Sequence, residues 1–304
     1  DALNCATTSP SVTISGGWVW GEKDLALRES VLTTTRRIYD PKVSPSGMTL
    51  SESQFEQYQR DGYVVAENLL SEAEVERVRS RIHEYAAGER TESAFSRMLE
   101  PDVDPGEFGR EVDPVRKFEG VGMAREDEVF ADLARHEGIL DVVEQLQGPN
   151  LKLLRSAAMM KPPQVGSEKK FHQDAAYYPI HPMDHVTVWI ALDEATEANG
   201  CMRVVPGAHT DGLVGHEAIE YDTDITISER DYGVEDTVAL PMDPGSVLFQ
   251  HCLLPHYTAE NTTERWRRAF ILAYMRSRSR FSDDDPPAWV ESLHIAGEEF
   301  PGCV

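Results

Sequence analysis

Basic residues are scarce in this chain, and long apolar runs are missing. Its 304 residues include 53 acidic and 29 basic side chains, so the formal net charge is −24 at pH 7. Such a surface repels the phosphates of nucleic acids and of anionic lipids. No apolar run approaches the roughly 18–20 residues that span a bilayer. We therefore expect no nucleic-acid partner and no membrane association, and polyanionic substrates are disfavoured unless a local basic pocket intervenes.

Cysteine is also scarce, and several common motifs are absent. The four cysteines form no CxxC pair, which argues against a zinc ribbon or a thioredoxin-type site. Cys201 and Cys252 lie in apolar, strand-like segments and are predicted to be small buried hydrophobic residues. The first residues show neither the basic nor the apolar region of a secretory signal, so we expect a cytoplasmic protein. No phosphate-binding glycine motif occurs.

The chain divides into two parts by pattern. Residues 1–47 show no clear period and are predicted to be an N-terminal extension, while 48–304 are predicted to form a single domain. Two capping boxes, at Ser51 and Ser71, mark the starts of helices. A third helical run carries apolar residues at 139, 140, 143 and 146. The acidic stretch 90–111 contains Pro and Gly and is predicted to be a long loop.

Beyond residue 150 the pattern becomes strand-like. Turn signals such as Asp243-Pro244-Gly245 separate six short runs. These runs are 151–160, 186–192, 201–205, 237–240, 246–250 and 268–275. Helices followed by many short strands predict a mostly β fold with flanking helices, either an antiparallel barrel or a jelly roll.

The segment Phe171-His172-Gln173-Asp174 places a histidine and a carboxylate two residues apart. In an extended backbone, residues i and i+2 point to the same side, so both side chains can reach one ion. Taken alone, His-x-Asp is a weak signal, because a strand histidine can simply pair with its neighbour. A second histidine would complete a facial triad, which leaves three positions open on an octahedral iron(II).

The downstream sequence supplies that histidine. Pro255-His256 follows an apolar run, and Arg267 lies 11 residues beyond His256 at the start of the next strand. A buried arginine near such a metal suits the far carboxylate of 2-oxoglutarate, which it would bind through a bidentate fork. The open iron positions would then accept the chelating 2-oxo acid and O2.

These motifs and several others occur in an order that resembles the phytanoyl-CoA dioxygenase family. The resemblance covers about residues 48–281. It includes Lys161-Pro162-Pro163 before His172-Gln173-Asp174, then Glu197-Ala198-Asn199-Gly200-Cys201 and Val205-Pro206-Gly207-Ala208-His209. It ends with Pro255-His256 and Arg267-Arg268-Ala269. The chain departs from the family pattern at Ala198 and Ala208.

The resemblance implies a double-stranded β-helix, the cupin-like jelly roll. It implies Fe(II) bound by His172, Asp174 and His256, and 2-oxoglutarate bound by Arg267, with Arg268 as the less favoured candidate. Four further residues are expected to contact the cosubstrate or line the pocket. These residues are Lys117, Gln173, Thr258 and Trp189.

The carboxylate at position 174 also indicates the reaction. Related halogenases carry Gly or Ala there, so that chloride binds the metal. Asp174 therefore implies hydroxylation, or another oxidation, of an aliphatic C–H, with release of succinate and CO2. The expected substrate is a small-molecule metabolite, with secondary metabolism as one source within the family's range, and the expected state is a monomer or a homodimer.

The substrate itself is not specified by the sequence. The net charge argues against acyl-CoA esters, as does the lack of an evident Lys/Arg cluster near the motifs. The segments 90–111 and 210–236 are expected to form a lid. His181 and His185 are candidates for the pocket mouth, whereas His209 and His251 are expected to be structural.

Two other interpretations remain open at this point. One is a cupin-like jelly roll that binds a metal or a sugar without oxygenase activity, which would not need Arg267. The other is a scaffold in which His172 and Asp174 are only a strand pair, and which would bind no iron(II).

Overall fold

The computed structural model describes most of the chain beyond its N-terminal segment. The described residues are 49–91, 94–101, 103–108, 112–178, 180–219, 224–281 and 291–304. The predicted N-terminal extension over 1–47 lies outside them. Among the described residues, no helix combines the length and the apolar character that crossing a membrane would require.

Helices dominate the first half of the described chain. They are α1 (Glu52–Asp61), α2 (Glu72–Ala86), α3 (Pro105–Phe108), α4 (Gly122–Glu126), α5 (Glu128–Leu133) and α6 (Glu137–Gln147). Both predicted capping boxes are present: the Ser51 side chain accepts a hydrogen bond from the Gln54 N–H, and that of Ser71 accepts one from the Glu74 N–H. These bonds satisfy N–H groups that a helix start leaves without partners.

Sixteen strands are found in the described chain. The first eight are β1 (Tyr63–Ala66), β2 (Ser96–Leu99), β3 (Val115–Glu119), β4 (Leu151–Lys161), β5 (Lys169–His172), β6 (Ile180–His181), β7 (Val186–Ala191) and β8 (Met202–Val204). The others are β9 (His216–Ala218), β10 (Ile225–Ile227), β11 (Val238–Leu240), β12 (Val247–His251), β13 (His256–Thr258), β14 (Arg267–Arg276), β15 (Arg280–Phe281) and β16 (Leu293–Ala296).

Two antiparallel sheets form the centre of the fold. The major sheet has the order β1-β12-β7-β14-β4-β3-β2, with β16 also paired to β4. The minor sheet has the order β11-β8-β13-β5. Strands distant in sequence lie side by side in both sheets, and apolar side chains of both sheets share one buried cluster that includes Trp189, Met202 and Ile271. The predicted jelly roll is confirmed.

Successive side chains along the strands of the major sheet point to its two faces, and these faces have different surroundings. In β14, Phe270, Leu272 and Tyr274 face the helices and join the larger core, whereas Ala269 and Ile271 face the interior between the sheets. The helices cover the outer face through contacts such as the stacked rings of Phe130 and Phe270, whose centroids are 5.0 Å apart. The helices therefore brace the major sheet and leave its inner face to the site.

Two local predictions have different outcomes. The stretch 90–111 is not simply a loop, because it contains β2 and α3, and β2 pairs with β3 at the edge of the major sheet. Its Pro and Gly residues follow a short strand whose partner is supplied only by the fold. The prediction for the cysteines is confirmed, since Cys201 and Cys252 are both buried.

Candidate functional site

The predicted metal-binding histidines lie on two adjacent strands of the minor sheet. His172 is the last residue of β5 and His256 the first of β13, and the two residues are directly paired in the antiparallel register. Residues opposite each other in such a pair have close side chains, and their ring centroids are 4.1 Å apart. Asp174 follows β5 after the extended residue Gln173 and begins a short 3-10 helix.

These three side chains converge on one point. Their candidate ligand atoms all lie within 4.8 Å of one another. The Oδ1 atom of Asp174 is 3.8 Å from the Nε2 atom of His172 and 3.9 Å from that of His256. All three residues are buried. Among the described residues this is the one group of three or more such side chains with the geometry to hold a metal ion.

Backbone hydrogen bonds fix the tautomer of both histidines. The Nδ1 atom of His172 is 2.8 Å from the carbonyl oxygen of Lys170, and that of His256 is 2.9 Å from the carbonyl oxygen of Leu254. A carbonyl only accepts, so each Nδ1 carries the proton. Each Nε2 atom is therefore unprotonated and can bind a metal, which is the arrangement usual for histidine ligands, and the Gln250 amide nitrogen lies 3.4 Å from the Nε2 atom of His256.

The two oxygens of Asp174 have different surroundings. Oδ2 accepts hydrogen bonds from the Thr187 hydroxyl at 2.7 Å and from the Gln250 amide at 3.2 Å. Oδ1 faces the two histidines, and the Nη1 atom of Arg155 lies 4.0 Å away from it. Hydrogen bonds to Oδ2 orient the carboxylate so that Oδ1 points to the metal position.

Electrostatics favour the metal-binding protonation states of His172 and Asp174. Burial, and then the proximity of His256, lower the pKa of His172 well below its usual value. Burial alone would raise the pKa of Asp174, but His256, His172 and Arg155 outweigh it and hold that pKa low. Neutral imidazoles and an ionised carboxylate are the forms that bind a cation.

Arg267 lies on the inner face of the major sheet. It is buried, and its guanidinium carbon is 5.6 Å from the centre of the Trp189 ring. Within the described part of the chain its Nε has no hydrogen-bond partner, and burial lowers the pKa of Arg267 to about 10. A buried cation without an acceptor is costly, so this position favours an anionic ligand. Arg268 instead points away and pairs with Asp193 at 2.8 Å.

A buried lysine, whose pKa is lowered well below its usual value by burial and by the nearby guanidinium, lies opposite Arg267. Lys161 is its direct partner in the pairing of β14 with β4, and its Nζ donates to the carbonyl oxygen of Ser167. Like charges directly opposite repel each other across a sheet. Gly200 makes room for the lysine stem: its φ is +81°, and a Cβ there would be 2.9 Å from the Lys161 Cδ atom and 2.3 Å from the Ala259 carbonyl oxygen.

The other predicted site residues have varied positions. Lys117 contacts Glu119 at 3.1 Å and Asp224 at 3.7 Å. Thr258 is buried on the same face of β13 as His256. The Gln173 amide donates to the carbonyl oxygens of Gly212 and Leu253 and accepts from the Val214 N–H, so it connects the backbone of three segments. Cosubstrate contacts by these residues remain predictions.

The histidines outside the triad also occupy distinct environments. His181 is exposed, whereas His185 is buried. His209 and His251 contact each other, with ring centroids 5.3 Å apart. His209 also packs against Gly62, where a Cβ would be 2.6 Å from the His209 Nδ1 atom. His185 is thus buried, and a place for it at a pocket mouth remains a prediction.

Several residues near the triad were not predicted. Thr187, Gln250 and Arg155 contact Asp174, and the Nε2 atom of His216 accepts a hydrogen bond from the Gln173 N–H at 3.0 Å. Thr187 lies in an apolar run, so only its polar character within a buried strand hinted at a role. The contacts of Arg155 and His216 depend on strand pairing and left no comparable signal.

The expectation that no Lys/Arg cluster lies near the motifs is wrong. Four basic residues surround two carboxylates beside the triad. They are Arg116, Lys117, Arg155 and Lys169, and the carboxylates are Glu119 and Asp224. These cations come from three different strands, so their clustering could not be read from a linear sequence.

The donor set suits iron(II) and a 2-oxo acid. Two neutral imidazoles and one carboxylate form the set that non-haem iron(II) oxygenases use. The buried Arg267 would complement the far carboxylate of the acid, and the small side chains of Ala157, Ala191 and Ala269 lie on the same inner face of the major sheet. The residues present therefore fit both groups.

Comparison with known proteins agrees with this site. The sequence model of the phytanoyl-CoA dioxygenase family matches residues 58–269. A probable phytanoyl-CoA dioxygenase of Caenorhabditis elegans is 28% identical over 242 residues, which cover 75% of this chain and 76% of that protein. The human peroxisomal phytanoyl-CoA dioxygenase is 26% identical over 246 residues, covering 78% and 71%.

Solved structures share the fold. EctD from S. alaskensis with bound Fe has a TM-score of 0.67 at 22% sequence identity, over 86% of this chain and 91% of that one. The apo form of the non-haem monooxygenase ThoJ has a TM-score of 0.62 at 23% identity, over 82% and 85%. The family match spans well over half of the chain and includes all three candidate metal ligands, and the chain therefore belongs to the phytanoyl-CoA dioxygenase family.

Proposed function

We propose that this protein is an Fe(II)- and 2-oxoglutarate-dependent oxygenase that hydroxylates, or otherwise oxidises, an aliphatic C–H of a small-molecule metabolite. The observation that carries the proposal is the buried triad of His172, Asp174 and His256, with both Nε2 lone pairs available and one carboxylate oxygen aimed between them. The family match and the iron-containing structure of the same fold support it.

Each residue has a proposed task. His172, Asp174 and His256 would hold iron(II), which when bound supplies the redox chemistry that couples decarboxylation of 2-oxoglutarate to oxidation of the substrate. Thr187 and Gln250 orient the Asp174 carboxylate through its Oδ2 atom. Arg267, stacked on Trp189, would bind the far carboxylate of the cosubstrate. Lys117 and Thr258 are proposed to contribute weaker contacts.

The balanced reaction follows from these assignments. One O2 is consumed: one oxygen atom enters succinate as 2-oxoglutarate loses CO2, and the other enters the hydroxylated substrate. The carboxylate at position 174 occupies the metal position that halide would need, so hydroxylation is favoured over halogenation. Exclusion of water from the buried triad would protect the reaction from side paths.

The buried Arg267 favours this function over the alternatives. A jelly roll that binds a metal or a sugar needs no buried arginine beside its metal. A structural scaffold would gain nothing from a buried guanidinium whose Nε has no acceptor among the described residues. An enzyme that binds a dicarboxylate accounts for both the triad and the arginine.

The test is the conversion of 2-oxoglutarate to succinate. Purified protein with Fe(II), ascorbate and O2 is expected to release succinate and CO2 in equal amounts, faster when a metabolite panel contains the substrate. Asp174→Ala should abolish the release, and the exposed-site control His181→Ala should retain it. A folded wild-type protein that binds Fe(II) and 2-oxoglutarate but releases no more succinate than Asp174→Ala, with any panel member, would contradict the proposal.

A further inference from the structure

Arg155 is a buried cation at the edge of the candidate metal centre. It lies on β4, and its side chain retains 12% of its accessible surface. Its Nη1 atom is 4.0 Å from Asp174 Oδ1, the same oxygen that faces both histidines. A metal held by the triad would therefore have this guanidinium as a neighbour, close to the Oδ1 atom of Asp174.

The contacts of Arg155 leave donors free. Its Nη2 atom is 2.6 Å from a carboxylate oxygen of Glu119, and Glu119 is shared with Lys117. The Nε atom is buried and has no acceptor in the described part of the chain. A guanidinium has five N–H donors, and a metal bound at Oδ1 would draw the charge of Asp174 towards itself. Arg155 would then be left with one shared carboxylate.

A buried histidine within electrostatic reach of Arg155 has no hydrogen-bond partner for its ring in the described chain. His185 is 1% exposed, and neither ring nitrogen has a hydrogen-bond partner among the described residues. It precedes Thr187 by two residues, so alternation places both side chains on the inner face of the major sheet. Asp174 and Arg155 are the two charged groups that act on it electrostatically, and burial lowers the pKa of His185 to about 4. The neutral ring offers one donor and one acceptor.

A small side chain lies between Arg155 and Thr187. Ala273 is the direct partner of Arg155 on one side and of Thr187 on the other. A methyl group therefore separates the arginine from the threonine that orients Asp174. Beyond Arg155, Lys169 donates to the Tyr177 hydroxyl at 2.8 Å and pairs with Asp224, which offsets its charge. Arg116 and Lys117 have further contacts, so neither is assigned a role in binding the substrate.

We infer that the substrate carries a carboxylate, and that Arg155 binds this carboxylate beside the metal, with His185 as a neutral hydrogen-bonding partner. The inference rests on the proposed oxygenase function. A monoanionic carboxylate would be repelled less by the nearby Glu119 and Asp174 than a dianionic phosphate, so a carboxylate is the anion that the remaining donors of Arg155 favour. The site would thus select for a charge that the acidic surface of the protein otherwise repels.

Matched fragments test the inference even though the substrate is unidentified. Aliphatic acids of four to ten carbons, their primary amides and the corresponding alkyl phosphates are compared by ligand-observed NMR. The protein is held anaerobically with Fe(II) and saturating 2-oxoglutarate, so that the Arg267 position is filled. At least one acid is expected to bind about tenfold more tightly than its own amide.

Substitutions then assign the preference to a residue. Arg155→Gln should remove the acid-over-amide difference, Arg155→Lys should keep part of it, and His185→Phe should weaken acid and amide alike. Arg77→Gln is the control, because Arg77 is an exposed residue of α2 that pairs with Asp132. Thermal melting shows whether each variant is folded. If Arg155→Gln does not fold, the partial loss of acid preference expected of Arg155→Lys still tests the inference.

Three outcomes would overturn the inference. These are equal binding of acids and amides, tighter binding of phosphates, and an acid preference that survives in folded Arg155→Gln. Failure of every acid to bind at concentrations on the order of 10 mM would count against it too. Failure of the oxygenase proposal is separate: it would appear as a wild-type protein that does not bind Fe(II) and 2-oxoglutarate before any fragment is added.

Discussion

Asp174 serves two purposes with its two oxygens. Oδ2 is held by a hydroxyl and an amide from neighbouring strands, and Oδ1 is left for the metal. Groups that orient a ligand in this way affect metal affinity although they never touch the metal. The affinity of the proposed centre for its metal should therefore depend on Thr187 as well as on the three ligands.

Thr187→Val tests this dependence with a side chain of nearly equal shape. Loss of the 2.7 Å hydrogen bond leaves Oδ2 buried with one weaker donor, so we expect Fe(II) affinity to fall about tenfold. Anaerobic Fe(II) titration measures the change. Thr210→Val, on the exposed surface, is the matched control. Unchanged affinity in the folded Thr187 variant would show that Gln250 alone orients the carboxylate.

The adjacent arginines provide a second residue-scale test. Arg267 is buried without an ion pair in the described chain, whereas Arg268 pairs with Asp193 on the other face. Arg267→Leu should raise the dissociation constant of 2-oxoglutarate about a hundredfold, because the carboxylate loses its buried counterion. Arg268→Leu should change it little. Equal effects of both substitutions, measured by isothermal titration with Fe(II) present, would contradict the assignment.

At the scale of residues, the sequence predicted what local spacing determines. His172 and Asp174 were predicted because the i, i+2 geometry of an extended chain is independent of the rest of the fold. His256 and Arg267 were predicted because they follow the His172-Gln173-Asp174 motif in the order that such a site requires. Arg155 was missed, because its proximity to Asp174 depends on the register of β4 against β14 and on the turn that carries Asp174.

At the scale of helices and strands, the sequence predicted the elements whose hydrogen bonds join residues that are close in the chain. The capping boxes predicted the starts of α1 and α2 because each bond joins residues three apart. The strand β2 was missed because its hydrogen bonds all go to β3, some twenty residues away in sequence. Acidic, Pro-containing sequence around it carries no pattern that reveals such pairing.

The helix α2 gives an element-scale prediction. Its Ser71 side chain accepts a hydrogen bond from the Glu74 N–H and donates a second one to the Glu74 carboxylate. Ser71→Ala should therefore lower the free energy of unfolding by about 1 kcal/mol, as measured by urea denaturation. Ser80→Ala, on the exposed side of the same helix, should be neutral or slightly stabilising because alanine is the better helix former. A neutral Ser71→Ala would mean that packing alone fixes the start of α2.

For the whole molecule, the charge distribution is uneven. The chain has a formal net charge of −24, yet four basic side chains gather beside the triad. The net charge is a sum over the whole chain, so it does not describe the charge of the side chains beside the triad. Net charge is therefore a poor guide to the charge beside the triad.

The same net charge predicts a salt effect on stability. Repulsion among surface carboxylates opposes the folded state, and added salt screens it within a Debye length of about 10 Å at 0.1 M. Melting temperature should therefore rise between about 0.02 and 0.3 M salt, equally in NaCl and KCl. A constant or falling melting temperature would show that the buried ion pairs, rather than surface repulsion, dominate the response.

The central claim is that one buried centre binds iron(II) and 2-oxoglutarate together. Anaerobic addition of Fe(II) and then 2-oxoglutarate, followed by visible absorption, tests it most directly. We predict a weak charge-transfer band that reports chelation of iron by the 2-oxo acid, saturates at one equivalent of iron, and is absent from His172→Ala. A folded wild-type protein that gives no such band would contradict the account.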